Sequence, residues 1–237
     1  MANNGPVRIG ALMRAYSPKP EGITALLNGI TNSVKRLKDA GVNDIQIGIW
    51  ADRDSPAADC GETFYALSEM IGTNRFFSTS LHQTINGDLF VSILNDGLNL
   101  QRINGITHSL ILSWEAASYV DTDLIRKMKQ AIQDGALAIG VALPEIAEFV
   151  REGAIMNTLA LWDIEALVEV GGFDPHDTKP KYADHYAESN AGVGEFIPML
   201  KMAEKYGRPV LAVISPTQSG AIEVPPERAE LQRKKLE

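Results

Sequence analysis

Two carboxylates directly follow the isoleucine-rich run Ile45–Trp50, at Asp52 and Asp54. An apolar run that ends in polar residues is typical of a buried strand that delivers side chains to a site at its carboxyl end. Aspartates in that position can bind a ribose, a base or a cation, or they can simply form a turn. Ser17 follows the first apolar run of the chain and is ambiguous in the same way.

The stretch Ser109–Asp123 has a similar design, because its apolar residues give way to small and polar ones and then to Asp121-Thr122-Asp123. An Asp-x-Asp sequence can bind a metal ion. Aspartate just before a helix, however, accepts hydrogen bonds from free backbone N–H groups and faces the positive end of the helix dipole. We therefore interpret Asp121 and Asp123 as the start of a helix.

The four histidines, His82, His108, His176 and His185, do not pair at a metal-ligand spacing. His176 and His185 share a polar segment with several aspartates, so either could complete a metal site, although a solvated loop is the alternative. The sequence contains no Gly-x-Ser-x-Gly, phosphate-binding loop or dinucleotide-binding fingerprint. The histidines alone therefore favour no particular enzyme class.

Composition limits the possible classes of protein. The chain has 237 residues, of which 45% are hydrophobic, so it can bury a full core. A net charge of −8 disfavours binding to nucleic acid. The single cysteine, Cys60, excludes an intramolecular disulfide. Because no signal peptide or membrane-spanning run is visible, we expect a cytoplasmic protein.

The elements alternate between strand and helix, beginning with a strand at Val7–Met13, an amphipathic helix from Ile23 that ends before Gly41, and a strand at Ile45–Trp50. Such a unit implies parallel strands and a right-handed crossover. Further helices are predicted at Gly61–Ile71, Asp88–Leu100, Asp121–Gln133, Trp162–Val170 and Glu195–Tyr206. Further strands are predicted at Phe76–Phe77, Thr107–Trp114, Ala136–Leu143, Met156–Leu161 and Val210–Ile214. One α/β domain is the simplest interpretation.

The order of these pieces resembles an inverting, family 2 type glycosyltransferase of the GT-A fold. The most specific match is Leu161–Pro175, which carries the family's Gly-Gly-Phe-Asp turn. Weaker matches are Ile49–Ser55, Asn95–Leu100, Glu115–Asp123 and Gly194–Val210, so that the resemblance covers about residues 7 to 214. It implies a Rossmann-like, mostly parallel sheet flanked by helices, with a GT-A domain over residues 1–222 and a charged tail over 223–237.

The resemblance also implies roles for individual residues. Ser17, Asp52, Asp54 and Glu115 would bind the nucleotide, and Glu195 would be the catalytic base. The acceptor side of the site would contain Trp162, Asp163, Gly171, Gly172, Phe173 and Asp174. A Mn²⁺ or Mg²⁺ ion would be held by Glu115 with help from Asp52 or Asp54, or from His176 or His185. Arg14, Lys19 or Arg53 could instead supply positive charge without a metal.

Two departures from the family pattern are visible. The family's metal-binding Asp-x-Asp is replaced by Glu115, Ala116 and Ala117, and its Glu-Asp pair is replaced by Gly194 and Glu195. The leading interpretation is an enzyme that moves a sugar from a nucleotide-sugar donor to an acceptor hydroxyl. The alternative is a degenerate domain that binds a nucleotide or sugar, or acts as a scaffold. A sugar-phosphate nucleotidyltransferase ranks lower, because Gly10–Ser17 lacks the glycine-rich loop of that class.

Overall fold

The computed structural model describes residues 6–15, 20–50, 61–73, 79–84, 91–143, 158–173, 196–206 and 211–216. Seven strands in these ranges form one sheet with the order β3-β2-β1-β4-β6-β5-β7. Their bounds are β1 Ile9–Arg14, β2 Asp44–Trp50, β3 Thr79–Thr84, β4 His108–Leu112, β5 Ala138–Val141, β6 Leu159–Asp163 and β7 Leu211–Ile214.

Six α-helices are described, and two 3-10 turns accompany them. The helices are α1 Ile23–Asp39, α2 Gly61–Thr73, α3 Val91–Ile103, α4 Thr122–Gln133, α5 Ile164–Glu169 and α6 Phe196–Tyr206. The 3-10 turns are Pro20–Gly22 and Ala116–Tyr119. The predicted α/β fold, with a mostly parallel sheet flanked by helices, is confirmed.

The sheet is parallel except at β6. Strand β1 pairs in parallel with β2 on one side and with β4 on the other. Strand β6 lies antiparallel between β4 and β5, and β7 extends the sheet in parallel beyond β5. The carboxyl ends of β1, β2, β3 and β4 therefore meet at one edge of the sheet.

Helices cover both faces of the sheet, and the strands bury side chains on each side. Along β1, Ala11 and Met13 belong to the core that contains the buried side of α1, whereas Leu12 belongs to the core that contains α3 and α5. This alternation is the period of two expected of a strand buried on both faces. The faces are called the α1 face and the α3 face below.

Helix α1 forms because its apolar residues recur on one side. Leu26, Ile30, Val34 and Leu37 are all buried, at the three- and four-residue spacing of one helical face. The helix ends in a glycine motif: Val42 N–H donates to the Leu37 carbonyl at 2.8 Å, and Gly41 has a φ of 85°. The predicted stop at Gly41 is confirmed.

A chain of buried polar side chains links β3, β2 and α3. Ser80 Oγ donates to Gln46 Oε1 at 2.5 Å, and Gln46 Nε2 lies 2.8 Å from His82 Nδ1. The other ring nitrogen, His82 Nε2, lies 2.9 Å from the Ile93 carbonyl oxygen. Since an amide nitrogen only donates, Nδ1 must accept and Nε2 must carry the proton, so His82 is neutral. Burial lowers the pKa of His82, in agreement with this neutral form.

Two predicted elements need comment. Trp162 was expected to begin a helix, which is wrong: it lies in β6 and pairs with Ser109 and Ala138. The strand expected at Phe76–Phe77 falls outside the described residues, and the third strand is observed at Thr79–Thr84. The other predicted helices and strands occur within a few residues of the expected positions, where they are described.

Candidate functional site

The strand order reverses direction between β1 and β4. The chain moves from β1 outward through β2 to β3 and then returns to place β4 on the opposite side of β1. In open α/β sheets, ligands bind at such a switch point, in the crevice outside the carboxyl ends of the strands. Met13 pairs with Leu112, so Arg14 and Ser113 are the next residues outward on the two strands.

A cation lies on the β1 side of this switch point. Arg14 is the last residue of β1 and pairs with Gly48 of β2. Its side-chain atoms Nε and Nη2 are buried, so the guanidinium is held against the protein rather than extended into water. A guanidinium at a strand's carboxyl end supplies positive charge beside the switch point.

Glu115 lies on the β4 side of the switch point. It immediately precedes the 3-10 turn Ala116–Tyr119, and its carbonyl accepts a hydrogen bond from Ser118 Oγ at 3.0 Å. The residue is half-buried and lines an open cleft. The backbone of Glu115 is thus fixed by the turn at the border of the cleft.

The two residues after Glu115 belong to the hydrophobic core. Ala116 is 0% exposed and Ala117 is 1% exposed, and both pack in the core of the α1 face. Tyr119 and Val120 join the same core. A carboxylate at position 117 in this conformation would be buried among apolar side chains, which is costly without a partner. The alanines therefore fit the local packing of the turn.

Asp121 caps α4. Its side chain accepts a hydrogen bond from the Leu124 N–H at 2.7 Å, and its backbone is extended, as expected of a residue that precedes a helix. Asp123 forms ion pairs with Arg126 and Lys127 on the surface of the same helix. The predicted role of this Asp-x-Asp as a helix start is confirmed.

The cleft beside Glu115 lies between α1 and the segment Trp114–Thr122. It has a volume of about 620 Å³. Two side chains of α1 reach the opposite wall. The hydroxyl proton of Ser33 is shared between the Gly29 carbonyl at 2.7 Å and the Trp114 carbonyl at 2.8 Å, and Arg36 Nη1 donates to the Ser118 carbonyl at 3.1 Å. α1 thus holds this segment in place.

The glycine pair at positions 171 and 172 forms a sharp turn after α5. Gly171 and Gly172 have φ values of 100° and 72°, a region that side chains with a Cβ rarely adopt. The Gly172 N–H donates to the Leu167 carbonyl at 2.9 Å, which is the glycine ending of a helix. The chain therefore needs the first glycine to leave α5 and the second to continue the turn.

Asn95 of α3 clamps the residue that follows this turn. Its Nδ2 donates to the Phe173 carbonyl at 2.7 Å, and its Oδ1 accepts from the Phe173 N–H at 3.0 Å. A Cβ on Gly172 would meet Asn95 Oδ1 at 2.8 Å, which gives a second reason for glycine there. The side chain of Phe173 is buried and meets the ring of Trp162 edge to face, with centroids 5.3 Å apart.

Trp162 and Asp163 make structural contacts. Trp162 is 0% exposed and lies in the core of the α3 face. Asp163 caps α5 by accepting from the Ala166 N–H at 2.8 Å, and its Oδ2 lies 3.7 Å from His108 Nε2. Burial lowers the pKa of His108, while the nearby Asp163 carboxylate opposes that effect. The roles of Trp162 and Asp163 on an acceptor side remain predictions.

The predicted site residues are only partly described. Ser17, Asp52, Asp54, Asp174, His176, His185 and Glu195 lie outside the described residues. Ala116 and Ala117, which follow Glu115, pack in the core of the α1 face, whereas Phe173 packs in the core of the α3 face.

Three residues at the candidate site were not identified from the sequence. They are Asn95, which clamps Phe173, and the basic residues Lys35 and Arg36, which line the cleft on α1. Periodicity shows that Lys35 and Arg36 occupy the polar side of α1, but which segment packs beside them depends on the tertiary structure. Asn95 lies in a stretch with a family resemblance, yet its partner is 78 residues further along the chain.

No group of three or more His, Cys, Asp and Glu side chains suited to a metal ion occurs in the part of the chain that is described. Glu115 is one carboxylate, and one carboxylate is not a metal site by itself. In the same part of the chain, no helix combines the length and the apolar character needed to span a membrane.

Comparison with known proteins identifies the fold. The sequence matches no protein-family profile and no curated protein sequence. A mannosyltransferase from Pyrobaculum calidifontis, solved with GDP-mannose and Mn²⁺, has a TM-score of 0.55 at 14% identity, covering 98% of this chain and 70% of that one. A putative glucose-1-phosphate thymidylyltransferase from Bacillus anthracis has a TM-score of 0.51 at 13% identity, covering 97% and 96%.

A third solved structure, a cytidylyltransferase from Leptospira borgpetersenii, has a TM-score of 0.51 at 10% identity, covering 91% of this chain and 79% of that one. The three proteins share a sheet fold but catalyse different transfers, as their names state. At these identities the likeness concerns architecture. The chain therefore has the α/β fold found in these nucleotidyl- and glycosyltransferases.

Proposed function

We propose that the chain is a transferase that uses a nucleotide-sugar donor, and more specifically a glycosyltransferase. The observation that carries the proposal is the switch point between β1 and β4, which has Arg14 on one strand and Glu115 beyond the other. The fold of the chain is similar to that of a mannosyltransferase that was solved with GDP-mannose. The resemblance of Leu161–Pro175 to the family 2 motif supports glycosyl transfer in particular.

In the proposed reaction the acceptor hydroxyl attacks the anomeric carbon of the donor sugar. A bond forms from the acceptor oxygen to that carbon, the bond from the carbon to the diphosphate oxygen breaks, and the nucleoside diphosphate leaves with the electron pair. Glu195 takes the proton of the hydroxyl as general base. Ser17, Asp52 and Asp54 would bind the nucleotide, and the turn from Gly171 to Asp174 would contact the acceptor.

The leaving diphosphate gains negative charge, which a nearby cation can stabilise. Arg14 is the described cation at the switch point. Mn²⁺ or Mg²⁺ would supply the same stabilisation when bound, with Glu115 and a histidine such as His176 or His185 as proposed ligands. Because the described residues provide only one of these ligands, no step of the reaction is assigned to the metal.

Calorimetry with GDP-mannose and UDP-glucose, each with and without Mn²⁺, tests the proposal. We expect saturable binding of at least one donor and slow hydrolysis of the bound donor, as water replaces the acceptor. Glu195→Gln should retain donor binding and lose hydrolysis of the donor, since the amide cannot take the proton of the attacking water. Binding of neither nucleotide sugar would contradict the proposal.

The degenerate binding domain remains the second candidate function. The burial of Ala117 in the core favours it, because the family's second acidic residue then has no counterpart at that position. This candidate predicts the same donor binding without any hydrolysis. The two candidates are therefore separated by the appearance of free sugar in the calorimetry sample.

Nucleotidyl transfer is a further candidate, favoured by the two nucleotidyltransferases among the comparison structures. In that reaction a sugar phosphate attacks the α-phosphorus of a nucleoside triphosphate, and pyrophosphate leaves. Release of pyrophosphate from CTP or dTTP in the presence of glucose 1-phosphate would support it over glycosyl transfer. We expect no release, because the segment after β1 lacks the glycine-rich loop of that class.

A further inference from the structure

The indole of Trp114 is held against the bare backbone of α1. Trp114 is the second residue after β4 and is half-buried. A Cβ on Gly29 would overlap the six-membered ring of the indole, at atoms Cε3, Cζ3 and Cδ2. The Trp114 carbonyl also shares the hydroxyl proton of Ser33 with the Gly29 carbonyl. Contact with a rigid helix and a backbone anchor therefore fix this aromatic ring at one end of the cleft.

The remaining walls of the cleft carry exposed or half-buried side chains with amide, carboxylate, ammonium and guanidinium groups. On α1 these are Asn32, Lys35, Arg36 and Asp39, all of them exposed. Glu115 contributes a carboxylate from the opposite wall. Amide, carboxylate, ammonium and guanidinium groups together present both hydrogen-bond donors and acceptors.

The charge of the cleft limits the class of ligand. Its two cations, Lys35 and Arg36, are opposed by the three carboxylates Asp39, Glu115 and Asp121. A phosphorylated or otherwise multiply anionic ligand would meet as much repulsion as attraction. Asp121 is already engaged by the Leu124 N–H, and the described residues do not bring three acidic or histidine side chains together for a metal ion.

An uncharged ligand rich in hydroxyl groups suits this cleft best. Hydroxyls both donate and accept, so they can use carboxylate, amide and guanidinium partners at once. The apolar face of a sugar ring can pack on an aromatic side chain whose position is already fixed, so ordering it costs little entropy. A volume of about 620 Å³ is within the range of small-molecule sites in proteins.

We propose that the cleft between α1 and the segment Trp114–Thr122 binds a neutral saccharide, with Trp114 as its aromatic contact. This site differs from the predicted acceptor side, because Phe173 packs with the opposite face of the sheet. The proposal does not rest on the proposed transferase activity, since binding of a saccharide here requires no nucleotide.

Titration of the full chain with disaccharides, followed by the indole N–H signals in heteronuclear NMR, tests the proposal. The probes are maltose, cellobiose, mannobiose and chitobiose up to millimolar concentrations, with inorganic phosphate as the anionic comparison and no nucleotide present. We expect at least one disaccharide to shift the Trp114 signal in a saturable way and phosphate to leave it unchanged. Trp114→Phe assigns the signal, and it keeps an aromatic ring in the core.

Two variants give the matched comparison. Asn32→Ala removes an exposed polar side chain from the cleft wall, and we expect it to weaken disaccharide binding roughly fivefold through the loss of a hydrogen bond. Tyr65→Ala removes a side chain of α2 that is 74% exposed, lies outside the cleft lining, and should leave binding unchanged. Absence of a saturable shift with all four disaccharides would overturn the proposal, as would a Trp114 response to phosphate alone. Failure of nucleotide binding would not affect it.

Discussion

Three consecutive residues after β4 lie in two different environments. Glu115 borders the cleft, whereas Ala116 and Ala117 lie in the hydrophobic core. The sequence indicates that a carboxylate follows the buried strand, because the apolar run ends there. It does not indicate that position 117 faces the core, since the burial of a turn residue depends on the helix packed over it. That helix, α1, lies more than seventy residues earlier in the chain.

Because Gly29 lies against the indole of Trp114, adding one methyl group at position 29 should lower the stability of the protein. Gly29→Ala should lower the free energy of unfolding by about 1–3 kcal/mol, because the added Cβ overlaps the indole and forces it to move. Urea unfolding followed by circular dichroism measures the change. The displaced indole should also change its fluorescence emission.

Gly72→Ala in α2 is the matched control. Gly72 is exposed, and a Cβ there meets nothing within 4 Å. Alanine is the better helix former, so this variant should gain up to about 1 kcal/mol. Equal stability changes for the two variants would show that the indole does not lie against Gly29.

Because His82 is buried in its neutral form, we expect the protein to lose stability in mildly acidic solution. Burial lowers the pKa of His82 and of His108 below the usual value of 6.5. The unfolded chain therefore takes up protons at these histidines before the folded chain does. The free energy of unfolding should fall as pH drops below about 6.5, by at most about 1.4 kcal/mol per pH unit for each histidine. Urea unfolding between pH 7.5 and pH 5 measures this slope.

His82→Gln separates the contribution of His82 from that of the other groups. Glutamine does not titrate, so the slope between pH 6.5 and pH 5 should be smaller in the variant, even if its stability is lower at every pH. The carboxylates lose their charge mainly at lower pH, which leaves this window to the histidines. An unchanged slope would mean that His82 does not remain neutral in the folded protein.

Among the elements, helices with a continuous apolar face were predictable. α1 and α4 bury one side and end at Gly41 and Gly135, each of which adopts a positive φ. β6 was harder, because it is apolar on both faces and leads directly into α5. A short apolar run of this kind has no periodicity that separates strand from helix. Pairing with β4 and β5 determines its conformation.

The two hydrogen bonds that join Asn95 of α3 to Phe173 should make the stability of the protein sensitive to substitution of Asn95. Asn95→Asp keeps the acceptor for the Phe173 N–H but places a carboxylate oxygen against the Phe173 carbonyl oxygen. We expect a loss of about 1–3 kcal/mol in the free energy of unfolding at neutral pH. Part of it should be recovered in acid, where a protonated carboxyl can donate.

Asn104→Asp is the control, because Asn104 is exposed in the turn after α3. Its stability should change by less than about 0.5 kcal/mol, as for most surface substitutions. If Asn95→Asp were equally mild, the two hydrogen bonds to Phe173 would not contribute to holding the turn.

For the whole molecule, the alternation of strand and helix predicted a mostly parallel sheet, but not the order of its strands. The placement of β4 beside β1, and of β6 between β4 and β5, depends on pairings between residues far apart in sequence. That order creates the switch point and with it the candidate site. The boundary between a domain at 1–222 and a tail at 223–237 remains a prediction.

The most direct measurement is a crystal structure of the chain soaked with GDP and Mn²⁺. We predict electron density for the nucleotide at the carboxyl ends of β1 and β4, with its diphosphate on the Arg14 side of the switch point. Density for the nucleotide at any other place on the molecule, or none at saturating GDP, would contradict the proposed donor site.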